Sequence, residues 1–331
     1  MTALAWLAAG WATTFLTLCS LALLDRVPHP WVPDDASPLA GLAAVPMSWC
    51  LVVVASLVLG ALAVAARRPA ARRPAGCALV AVGLAVVLVI ADVRALAFLG
   101  YLPMLVLALV GVGPAAGHLD AGLVVDSAAA LAHAIGGMAV VATGVRLLGR
   151  PSWGRWTRWG PRAVAVAIVV PLLYAATRIA WALDIPLGVR REMLDELGSA
   201  RYAGLGLALF AVVGALLTWG LQARWGEVFW TWLPRYGGRP VPVALALVPG
   251  LLVAGAVSAA GISFWRMLLA GDIAEVPGAT SDWAAWAPEL LWPLWGAALA
   301  VGCLAYLGRR RAVTGDRRGT GGVTDPGRVL S

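Results

Sequence analysis

Hydrophobic positions in this chain do not alternate with polar ones on a helical or strand period. They come in long unbroken runs, at roughly 3–24, 48–66, 77–98, 123–147, 162–184, 200–222, 241–264 and 285–307. About 20 apolar residues in a row are enough to cross the hydrocarbon core of a bilayer as a helix. The pattern therefore predicts an all-α fold, a polytopic transmembrane helix bundle of about eight spans occupying residues 1–308. A ninth stretch, 101–113 (YLPMLVLALVGVG), is too short to cross alone, and Gly100 and Pro103 separate it from the run before. It is expected to re-enter the membrane or to lie on it. The tail 309–331 is rich in Gly, Arg and Thr and poor in apolar residues, the composition of a disordered segment.

The polar gaps fix an orientation. All 25 basic residues are arginine, and eighteen of them lie in the gaps 67–73, 146–162 and 224–239 and in the tail. These are every second gap, and arginine-rich short loops stay cytoplasmic. Both termini are thus expected on the cytoplasmic face of a plasma membrane. The outer loops, 25–47, 99–122, 185–199 and 265–284, are acidic on balance. Counting 101–113 as a full span would break this alternation.

Composition agrees with lipid as the solvent. The chain is 61% hydrophobic and 13% charged, with a mean hydropathy of +0.85. Soluble domains carry about 25% charged residues. The formal charge of +8 does not call for nucleic acid, because the arginines sit at membrane edges, where anionic headgroups attract them. The expected partner is the lipid bilayer, with room for another membrane subunit. Most of the 17 tryptophans fall at span ends, as an aromatic belt requires. In WGRWTRWGPR, Trp153, Trp156 and Trp159 recur every three residues with arginines between or beside them, which reads as an interfacial anchor.

Ionisable residues inside spans are costly and mark functional candidates. Here they are Asp92, Arg94, Asp126, His133, Arg178 and Glu289. All fall in the outer halves of their spans or at the centre, with His133 about 15 Å into its helix at 1.5 Å per residue. That distribution predicts a polar cavity open to the outer face, with His133 at its floor. Asp126 and His133 share a helix face, as do Tyr174 and Arg178. A guanidinium as deep as Arg178 needs a carboxylate, and Asp92 and Glu289 lie at similar depth. Such a pair either locks spans 3, 5 and 8 together or binds a solute. His133 reads as a neutral histidine hydrogen-bonded across a helix interface, and His29 as a loop residue between prolines.

No metal or cofactor is expected. Cys19, Cys50, Cys77 and Cys303 form no CxxC and read as small hydrophobes. His118, Asp120, Asp126 and His133 match no zinc spacing. Nucleotide-binding, zinc-protease and serine-hydrolase motifs are absent from the sequence. RWGPRAVAVAIVVP (158–171) echoes RYGGRPVPVALALVP (235–249), through either a duplicated hairpin or low-complexity coincidence.

Four phrases, GYLP (100–103), PLLYAATRIAWALDIPLG (171–188), WGEVF (225–229) and PELLWPLWG (288–296), resemble an uncharacterised family of polytopic membrane proteins of actinobacteria. The resemblance runs from about Gly100 onward. It implies a plasma membrane protein and no particular activity, and draws attention to Arg178, Trp181, Glu289 and Trp292. Three functions stay open: a permease-like protein binding a small polar or anionic solute, an enzyme acting on a lipid-linked substrate through His133 or Glu289, and a scaffold or sensor subunit without chemistry.

Overall fold

The computed structural model describes residues 2–109, 121–149, 153–275 and 278–319. It is all helical. Ten α-helices are described: α1 (Ala3–Leu23), α2 (Ala44–Arg67), α3 (Arg72–Ala85), α4 (Val93–Leu109), α5 (Ala121–Leu148), α6 (Trp153–Ala182), α7 (Arg191–Leu197), α8 (Arg201–Gly220), α9 (Val243–Ala270) and α10 (Trp292–Gly319). Among the described residues the sole extended pairing is an isolated bridge between Val228 and Pro240. Eight helical segments are long and apolar enough to cross a membrane, so the chain is a multi-pass membrane protein.

The helices pack as two groups of four. In the first, α1 lies against α2 and α5, and α3 against α5. In the second, α6 lies against α8 and α10, and α9 against α10. Within each group the first helix therefore meets the second and the fourth, and the third meets the fourth. Contacts of α9 with α4, α5 and the end of α3 join the groups. The echo at 158–171 and 235–249 does not mark this arrangement: 158–171 is helical throughout, whereas the second copy starts in a loop.

Small residues let α3 and α5 cross closely. A Cβ on Gly83 would sit 2.8 Å from the Gly137 carbonyl oxygen, and one on Gly144 would sit 2.7 Å from that of Gly76. In lipid, where apolar side chains gain little by leaving solvent, this backbone approach is what packing can exploit.

Two boundaries differ from the sequence expectation. The third span does not run on to residue 98. After α3, one π-helical turn (Val86–Ile90) ends it, and Asp92 starts a new helix by accepting the Arg94 backbone N–H at 3.0 Å. A buried aspartate is a stronger helix start than Gly100 and Pro103 are a break, so α4 takes in 93–100 together with the short apolar stretch. Residues 110–113 of that stretch lie outside the described residues. At the other end of the chain, α10 continues to Gly319, through part of the tail expected to be disordered.

Candidate functional site

The intramembrane charges fall into two clusters, one in each helix group. In the second group, the ionisable pair is Arg178 of α6 and Glu289 in the 3₁₀ turn Ala287–Leu291 that leads into α10. The Arg178 Nη2 to Glu289 Oε1 distance is 2.6 Å. Arg178 also donates to the carbonyls of Ala284 at 3.1 Å and Ala285 at 3.5 Å. Its guanidinium stacks over Trp181 at 4.1 Å and Tyr174 at 4.7 Å. The expected face shared by Tyr174 and Arg178 thus holds a cation between two rings. Glu289 Oε2 has no hydrogen-bond partner among the described residues, nor has the Nε1 of Trp292, whose ring meets Tyr174 edge-on. The pair joins spans 5 and 8. Span 3 takes no part, because Asp92 is engaged at its own helix start.

A clamp formed by two loops lies beside this pair. Arg190, between α6 and α7, makes a two-pronged contact with Asp282: Nη2 to Oδ2 at 2.8 Å and Nε to Oδ2 at 3.1 Å. The Arg190 backbone N–H donates to Oδ1 at 2.7 Å. The Gly188 carbonyl accepts the Ala284 N–H at 3.0 Å. Gly188 has φ of +68°, and a Cβ there would strike Ala284 at 2.6 Å. Hydrogen bonding from Arg190 holds the Asp282 carboxyl below its ordinary range. Asp184, gripped by Arg191 and Arg201 at 2.7 and 2.6 Å, is lowered for the same reason. These loop pairs were not singled out from the sequence, where Asp282 and Arg190 lie 92 residues apart and look like unremarkable loop charges.

In the first group, Asp92 and Arg94 pair with each other at 2.7 Å, and Asp92 is fully buried. Neither reaches out to the membrane surface as a long side chain near a helix end often does. Arg94 also donates to the Val32 carbonyl at 2.8 Å and stacks over Trp31 at 4.2 Å. Asp126 is exposed and more loosely placed, 3.7 Å from Arg94.

His133 corrects two expectations. It is not the floor of a polar cavity, and neither ring nitrogen has a hydrogen-bond partner among the described residues. The imidazole is fully buried among aromatic rings: Phe15 at 4.1 Å, Trp31 at 5.0 Å and Trp11 at 5.9 Å. The α1–α2 loop brings Trp31 back over α5, a fold-over that no local pattern announces. His29 is more than a loop residue, since its Nδ1 shares a 2.8 Å hydrogen bond with Ser48 Oγ.

His133 and Glu289 therefore belong to separate helix groups, His133 on α5 and Glu289 in the turn leading into α10. Two grooves lie in apolar helix surface. One, of about 420 Å³, is lined by Trp156, Trp159, Arg162, Ala163, Val166 and Val301. The other lies between α2 and α3. The first contains part of the expected anchor, with Arg162 over the Trp159 ring at 5.3 Å. The side chain of Trp153 lies outside the described residues. Among the described residues no group of three or more His, Cys, Asp or Glu could hold a metal.

No family model, curated protein or solved structure matches this chain.

Proposed function

We propose that this is a non-catalytic structural or assembly subunit of the plasma membrane, with both termini cytoplasmic, whose intramembrane charges are ties between helices. One observation carries the reading: Nη1 and Nη2 of Arg178 are directed at Glu289 and two backbone carbonyls, and the guanidinium stacks over Tyr174 and Trp181. A solute-binding guanidinium would need donors aimed into open space. The enzyme reading asked for His133 and Glu289 in one cavity, and their placement in different helix groups speaks against it.

The test is solvent reachability beside the pair. In a cysteine-free background, Ala284→Cys in native membranes should resist a hydrophilic maleimide added to either face. Rapid labelling from the outer face would revive the solute-binding reading.

A permease-like function is the second reading, favoured by the irregular backbone where the two helix groups meet. The π-helical turn Val86–Ile90 packs on α9 at Gly255, and an extended, non-helical Ala91 follows it. Single π turns inside α-helices recur at functional sites, and two four-helix groups rocking about such a junction would alternate access. If so, Val87→Cys should label from each face in turn. Protection from both faces would leave the junction a static contact.

A further inference from the structure

The loop between α8 and α9 is folded tightly although nothing in the ionisable clusters requires it. The Phe229 N–H donates to the Arg239 carbonyl at 3.0 Å, the Gly238 N–H to the Phe229 carbonyl at 3.1 Å, and the Val241 N–H to the Glu227 carbonyl at 2.9 Å. Arg310 of α10 secures the base, donating to the Glu227 and Val241 carbonyls at 3.1 and 2.8 Å. Tyr306 adds a 2.8 Å bond to the Gly226 carbonyl. The result is a short hairpin pinned to the end of the bundle.

Its exposed face has one chemistry. Trp225, Trp230 and Trp232 form a ladder of rings with centroid spacings of 5.9 and 5.7 Å. Trp230 and Trp232 are 53% and 70% exposed. Arg224, Arg235 and Arg239 on the same hairpin are exposed and form no ion pair among the described residues. At the opposite end of the bundle, by contrast, Arg94, Arg178, Arg190, Arg191, Arg201 and Arg266 are all paired with carboxylates.

We propose that the hairpin 224–239 is a binding site for the headgroup of an anionic phospholipid in the leaflet that surrounds it. Indole rings settle at headgroup depth, with the ring body in the acyl boundary and the N–H towards water. Guanidinium groups grip phosphate oxygens in pairs. The exposed ladder supplies the first and the three unpaired arginines the second, on a backbone already ordered by Arg310 and Tyr306. Charge complementarity commits the occupant to a lipid with net negative charge, such as phosphatidylglycerol, over a zwitterionic one.

The experiment uses the full chain in mixed micelles, titrated with fluorescent phosphatidylglycerol or phosphatidylcholine. The protein should prefer phosphatidylglycerol. Arg224→Gln/Arg235→Gln/Arg239→Gln should weaken that binding about a hundredfold and leave phosphatidylcholine unchanged, with an unaltered thermal transition. Arg67→Gln/Arg68→Gln/Arg73→Gln removes equal charge from another loop and should retain most of the preference. Trp230→Phe/Trp232→Phe should lose part of the fluorescence quenching by brominated phosphatidylglycerol, and at such exposure the change does not endanger folding. Equal losses in the two arginine triples, or no preference in the unaltered chain, would overturn the proposal. Full affinity in the hairpin triple would overturn it as well.

Discussion

Arg178 and Glu289 are more informative broken than intact. Removing one partner of a buried pair strands the other charge, at a cost of about 3–5 kcal/mol, whereas replacing both with apolar residues of similar volume is often neutral. Arg178→Met alone should therefore lower the thermal transition of the purified protein sharply, and Arg178→Met/Glu289→Leu should restore most of the loss. Failure of the double variant to recover would mean that the carbonyls of Ala284 and Ala285 depend on the guanidinium itself. The loop carboxylates carry the acid dependence. Because Asp282 and Asp184 are held below their ordinary values in the folded protein, their contribution to stability is complete above the unfolded-state value of about 3.9. It is lost as pH falls from there through the folded-state values. Melting followed from pH 7 to pH 3 should fall at the acid end, and Asp282→Asn should flatten part of that fall. At this scale the sequence was half legible. The candidates Arg178 and Glu289 were named because charge in lipid is conspicuous, and a partner for Arg178 had to exist. Trp31 and the carbonyls of Ala284 and Ala285 were not, because each reaches its site only through a loop that folds back.

Helix ends and helix crossings respond to different forces, and the elements show both. Hydropathy located the spans because apolar length is a sufficient condition for crossing lipid. It placed the end of the third span too late, because an apolar run does not register a buried helix start such as Asp92. Asp92→Ala should cost about 1–2 kcal/mol from the lost cap, with a further loss from the unpaired Arg94, measurable by chemical denaturation. The α3–α5 crossing leaves no room for a side chain at Gly83. Gly83→Val would drive side-chain atoms into the Gly137 carbonyl and the backbone of Val141. Overpacking of this kind costs about 1–3 kcal/mol or more. The variant should therefore yield less folded protein by size-exclusion chromatography, while Gly10→Val, which faces open space on α1, should behave as the unaltered chain.

For the whole molecule, arginine-rich gaps predicted an orientation that labelling can check. Ala70→Cys should react only from the cytoplasmic face and Ala40→Cys only from outside. The opposite result would invert the assignment without altering the packing. The two groups of four helices were invisible beforehand, since no sequence repeat accompanies them and contacts between distant helices leave no local trace. Their charges are nonetheless sorted by function. Six arginines at one end, Arg94, Arg178, Arg190, Arg191, Arg201 and Arg266, are paired with carboxylates, whereas at the other Arg224, Arg235 and Arg239 form no ion pair among the described residues. An energised membrane acts on that second set. Carrying one elementary charge across a potential of 100 mV changes the energy by about 2.3 kcal/mol, so each unpaired guanidinium on the negative side adds electrical resistance to turning the protein over. In the proposed orientation the hairpin's exposed Arg224, Arg235 and Arg239 would lie on that side and act as ballast, holding the bundle one way up for as long as the membrane stays polarised.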